Sequence, residues 1–179
     1  MNLLFVAPRA SRKRAVAIET RRALDDGHRV VLVAEAGANR EGWDLDPRVE
    51  VEWIGANAIF APEARSTALL ARKLPLGLLR RAGRGPLRGL ADKAARRWRR
   101  TVVAPIDRRR QIATEAMREA HRLDRVRARL RATEPDWLVL SEPAAVELAV
   151  DFVPDLLAAR PGTRTTYAYE PAGGGDDDR

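Results

Sequence analysis

"RALDDGHRVVLVAEAG", residues 22–37, changes from a polar run with Ala and Leu to almost pure Val and Leu across Gly27 and His28. Upstream, from Ser11, the pattern is helical: Val16, Thr20, Ala23 and Leu24 share one face at i, i+4, i+7, i+8 spacing. Gly27 then falls where a helix end calls for a left-handed residue, a conformation that glycine adopts without strain. "RVVLVAE" follows with continuous apolar character, which marks a strand covered on both faces. Gly-His is therefore read as the joint between a helix and the next parallel strand of a βαβ unit. It places His28 at a strand start with a structural role.

The same grammar extends in both directions. "LLFVA", residues 3–7, reads as a short buried strand that Pro8 ends. "VEVEWIG", residues 49–55, alternates Val49, Val51 and Trp53 with Glu50 and Glu52, as in a strand with one wetter side. Residues 62–105 carry leucines at helical spacing, but Pro75, Gly77, Gly83, Gly85, Pro86 and Gly89 interrupt them, so short helices joined by loops are expected. A longer helix is expected over Asp107–Ala132, with Ile112, Ala116, Leu123, Val126 and Leu130 as its apolar stripe and His121 exposed on the other side. "PDWLVLSEP", residues 135–143, is the next strand with its turn; helix follows from Ala144, with a break near Pro154. "TRTTYAYEP" reads as a last strand reaching Pro171. Strands alternating with helices predict an α/β/α sandwich, a Rossmann-like parallel sheet flanked by helices. Residues 1–171 form one such domain, with 62–131 as an irregular basic helical insertion and 172–179 as a disordered tail.

The totals narrow the function. The 179 residues suit a single core. There is no cysteine, hence no disulfide, thiolate nucleophile or thiolate metal site, and His28 and His121 make no ligand pair. No cofactor or metal is expected. No run is long and apolar enough for a membrane span, and the charges of "MNLLFVAPRASRKR" follow its apolar run instead of preceding it, unlike a secretory signal. A cytoplasmic protein is expected. Net charge is +8, and it is uneven: residues 64–131 hold twenty-one Lys/Arg against five Asp/Glu. Asymmetry of that kind marks a surface for an anionic partner.

"LLFVAP", a helix ending "ALDDGHRVVLV", then "VEVEWIG", "EPDWLVLSEP" and "TRTTYAYEP" together resemble the N-terminal, acceptor-side domain of GT-B glycosyltransferases, particularly the family-4 type common in bacteria. The likeness covers residues 1–56 and 130–171. It implies hexosyl transfer from a nucleotide-sugar donor to an acceptor substrate, in a cleft shared with a C-terminal donor-binding domain, so that the chain is expected to be half of a split enzyme completed by a partner chain, a truncated relative, or a pseudoenzyme. Two departures stand out: the loop after the first strand, "PRASRKR", has no glycine, and Ser141 and Glu142 follow the fourth strand where the family places histidine or aspartate.

In open parallel sheets ligands bind beyond the carboxyl ends of the strands. Four loops are expected to meet there. Ser11, Arg12, Lys13 and Arg14 fall at a helix N-terminus and are the candidate donor-phosphate contacts. Glu142 and Glu170 are the candidate catalytic carboxylates, orienting an acceptor hydroxyl or acting as base. Glu35, at the end of the second strand, is a lesser candidate for ribose hydroxyls, since no GxGxxG accompanies it. Arg96, Arg97, Trp98, Arg99 and Arg100 close a Leu- and Arg-rich segment suited to an anionic membrane surface. Glycosyltransferases of the resembled fold often work at a membrane face. The competing reading is a non-catalytic basic module that docks on lipid or nucleic acid. No RNA- or DNA-binding motif is visible, so nucleic acid is not the expected partner.

Overall fold

The computed structural model describes residues 1–36, 42–62, 81 and 88–170. Five strands form one wholly parallel sheet: β1 (Asn2–Ala7), β2 (Arg29–Glu35), β3 (Glu50–Ile54), β4 (Trp137–Leu140) and β5 (Arg164–Thr166), in the order β3-β2-β1-β4-β5. β1 is central, with Phe5 opposite Leu32 of β2 on one side and Val139 of β4 on the other. Such strands are covered on both faces, which is why they read as unbroken Val/Leu runs.

Alternation along each strand divides the core in two. Leu4, Val6, Val31, Val33, Leu138 and Leu140 face one way and Leu3, Phe5, Val30, Leu32 and Val139 the other. Helix α1 (Lys13–Asp25) covers the second face through Val16 and Ala23. The first face meets Val126 and Leu130 of the long helix α3 (Ala104–Thr133), Ala145 and Leu148 of α4 (Pro143–Ala149), and Phe152. Leu156 of α5 (Val153–Ala159) packs against the same cluster. The Gly-His joint forms as read: Gly27 has φ +80°, and the His28 N–H donates to the Ala23 carbonyl at 3.0 Å. The wetter side of β3 is an ionic edge, where Glu50 pairs with Arg29 and Arg129 and Glu52 with Arg125.

The chain divides into two compact units, 1–58 with 119–179, and 59–118. The first holds the sheet. In the second, helix α2 (Arg88–Trp98) runs into a π-helical turn, Arg99–Val103, before α3 begins. Here the expectation of short helices broken at Gly89 is corrected. Gly89 lies inside α2, and helix continues to Thr133. The wide turn precedes Pro105, whose ring would collide with the carbonyl four residues back in an ordinary helix. The Ala104 N–H reaches back five residues, to the Arg99 carbonyl. Residues 63–80 and 82–87, and the tail from 171, lie outside the described residues.

Three smaller expectations change as well. The last strand stops at Thr166, well before Pro171. On α3 the stripe holds for Val126 and Leu130, while Ile112 and Ala116 are exposed. His121 is half-buried, not exposed.

Candidate functional site at the carboxyl rim of the sheet

From β1 the chain builds outward to β2 and β3, then returns to place β4 and β5 on the other side. The loops after β1 and β4 therefore part at the switch point, where this class of sheet opens a crevice. Residues 8–12 and Ser141–Glu142 occupy it.

Glu142 organises this point. It has the extended backbone of a helix N-cap before Pro143, but its side chain does not cap α4. It is fully buried and turned toward the β1–α1 loop. The Ser11 N–H donates to its Oε2 at 2.7 Å and the Ala10 N–H to its Oε1 at 3.2 Å; the Arg9 N–H and the Ser11 hydroxyl also donate to the carboxylate. Ala10 holds a left-handed φ of 55°, which turns three successive N–H groups toward one anion. Four donors at a helix start offset the desolvation of a buried carboxylate. The loop without glycine thus does build an anion-binding concavity, and Glu142 is the anion in it. The carboxylate read as a catalytic base is spent on donors within the chain.

Arg12 is drawn to the same point. Its Nη1 donates to the Ser141 carbonyl at 3.0 Å, its Nη2 to Glu19 at 3.3 Å, and its guanidinium lies 5.0 Å from the centre of the Tyr167 ring. Its side chain remains about a third exposed. Ser11, Arg12 and Glu142 are therefore brought together. Lys13 turns aside to the Trp43 ring, 5.8 Å away. Arg14 lies on the outer face of α1, in a cleft with Ile18, Arg21 and Asp44. Glu170 is exposed and makes no hydrogen bond or ion pair with Arg12 or Glu142. By residue 169 the chain has turned back along α1: the Tyr169 N–H donates to Glu19, its hydroxyl to Asp26 at 2.5 Å, and its ring meets His28 at the opposite end of β2. The expected convergence of Glu170 with Arg12 and Glu142 is corrected accordingly. The strand meant to carry it ends early, and Tyr169 follows the apolar cover of Phe5 and Trp137.

A second group of rim residues lies above β1 and β2. Arg122 of α3 is buried, with Nε 3.5 Å from Glu35 and Nη1 2.7 Å from Glu119. Glu119 also meets Arg9 at 3.5 Å, and Glu35 accepts from the Asn57 N–H at 3.3 Å. Charges thus alternate Arg9, Glu119, Arg122, Glu35 across the strand ends, and half-exposed Arg9 is the outermost. Glu35 is held by Arg122 where a ribose contact was considered. Arg122 carried a signal in the sequence: it stands four and eight residues before Val126 and Leu130, so it shares their buried stripe and needs a carboxylate beside it.

Chemically, the rim offers two partly exposed guanidiniums, Arg9 and Arg12, on a loop fixed from beneath by a buried carboxylate. Guanidinium forks match phosphate and carboxylate oxygens. Compared with known proteins, the chain matches no family model, no curated protein and no solved structure.

Proposed function

We propose that the sheet-bearing unit is the acceptor-side half of a two-domain sugar transferase, with Arg9 and Arg12 receiving an anionic group of the donor or acceptor at the switch point. One observation carries this reading: two partly exposed arginines are held at the parting of β1 and β4 by the Glu142 clamp beneath their loop. In this reading Glu142 shapes the loop, and Arg9 and Arg12 supply the charge. The resemblance of the strand pattern to GT-B N-terminal domains names sugar transfer as the chemistry. A nucleotide-sugar gripped by a donor domain would meet the rim from its open side.

The test is amide NMR of the labelled chain, titrated with a panel of nucleoside diphosphate sugars and with isoprenyl phosphate acceptor analogues. Shifts are expected at Arg9 to Lys13 and at Tyr167, with Arg12→Gln weakening binding about ten-fold, the worth of one charged hydrogen-bonded contact. If no member of the panel moves those amides, or if Arg12→Gln binds as the parent does, the reading fails.

A further inference from the structure

In the sheet-bearing unit, several surface cations have a carboxylate close by: Arg29 and Arg129 on Glu50, Arg48 on Asp25 and Asp46, Arg125 on Glu52, Arg160 on Glu134. Helix α2 is different. Lys93, Arg96 and Arg97 follow i, i+3, i+4 spacing, which sets them on one face of α2, and Arg100 follows in the π-helical turn. With Thr101 they line a single shallow cleft of about 290 Å³. Among the described residues, none of these four cations has an acid within ion-pairing distance. Like charges so spaced repel one another and weaken the helix. A face of this kind is complementary to a dense array of anions.

Leu90, three residues before Lys93 and 67% exposed, borders the cations with an apolar side chain turned to solvent. The preceding sequence continues the mixture: "RKLPLGLLRR", residues 72–81, sets leucines between pairs of cations, and residues 64–87 contain no acid. Cations beside an exposed aliphatic side chain such as Leu90 suit the boundary of headgroup and acyl chain. A nucleic acid would be served by exposed aromatics for stacking, and the cleft has none.

We infer that this face of α2, with the π-helical turn that follows it, docks the chain on an anionic lipid bilayer, with Lys93, Arg96, Arg97 and Arg100 on the headgroup phosphates and Leu90 entering the interface. The inference stands apart from the sugar-transfer reading, because it uses none of the rim residues.

The test is co-sedimentation of the full chain with vesicles of phosphatidylcholine alone, or of phosphatidylcholine doped with phosphatidylglycerol, at low and physiological salt. Binding is expected only to the doped vesicles and is expected to fall as salt rises. Each cation near an anionic surface gives about a five-fold gain in partitioning. Replacing all four by Gln should therefore lower partitioning by roughly several hundred-fold. Leu90→Ser, which leaves every charge in place, should lower it several-fold and keeps the test decisive if the four-fold variant fails to fold. The inference is overturned if neutral vesicles bind equally, if Leu90→Ser binds like the parent, or if the folded four-fold variant does. Tight binding of a duplex or single-stranded oligonucleotide with no vesicle binding also overturns it, in favour of nucleic acid.

Discussion

Glu142 is both fully buried and bound by four donors, three of them backbone N–H groups. An isosteric amide in its place would turn one N–H2 toward those donors and leave some of them unpaired in the interior. Glu142→Gln is therefore expected to cost about 1–3 kcal/mol, read as a lower urea midpoint with unchanged slope. A variant as stable as the parent would mean that the clamp has no structural weight. Tyr169 gives a second test at this scale. Burial, and then its hydrogen bond to the Asp26 carboxylate, raise its phenol to about 12 from an ordinary 10. The folded chain therefore keeps a proton that the unfolded chain gives up, and stability falls as pH rises between those two values. Thermal melts should show that decline in the parent, and Tyr169→Phe should flatten it. The sequence showed Glu142 but not its task, because the task is set by backbone donors 131 to 133 residues away that any residue types supply.

At the scale of elements, two glycines make opposite predictions. Gly27 ends α1 with φ +80°, where any Cβ is strained even in open space. Gly89 is the second residue of α2, with open space where a Cβ would stand and no unusual φ. Gly27→Ala should destabilise by about 1 kcal/mol. Gly89→Ala should instead stabilise α2 by about 0.5 kcal/mol, the lower end of the entropic cost of a helical glycine, because the position lies in the first turn. Circular dichroism and urea melts of the two variants check the opposed signs. The same contrast accounts for what could be read in advance. Strands β1, β2 and β4 were plain because burial on both faces leaves an unbroken apolar run. The Gly27 joint was plain because only one backbone conformation fits a helix end followed by a strand. Gly89 misled because glycine weakens a helix without forbidding it, and helix passes Pro105 because the π-helical turn before it absorbs the clash. β5 was drawn too long because Tyr167 and Tyr169 favour strands by type, whereas their rings are held by Arg12 and by the Phe5–Trp137 face.

Across the whole molecule, stabilising contacts are unevenly shared. β1, β2 and β4 are buried along nearly their full length and hold each other in register. No described side chain of α2 is buried; Ala95 and Trp98 are half-covered and the rest are exposed. A helix without buried side chains lacks the tertiary packing from which most helical stability comes, and unpaired cations on one face lower its stability further. Opening α2 should therefore require far less free energy than opening the sheet. Native-state hydrogen exchange at increasing denaturant separates the two. Amides of Leu3–Val6 and Val30–Val33 should exchange only through global unfolding, with strong denaturant dependence. Amides of Leu90–Arg97 should exchange through local opening, nearly independent of denaturant and orders of magnitude faster. If α2 exchanges with the free energy of β1, then contacts other than its own side-chain burial support it, and the uneven division of stability drawn from burial is wrong.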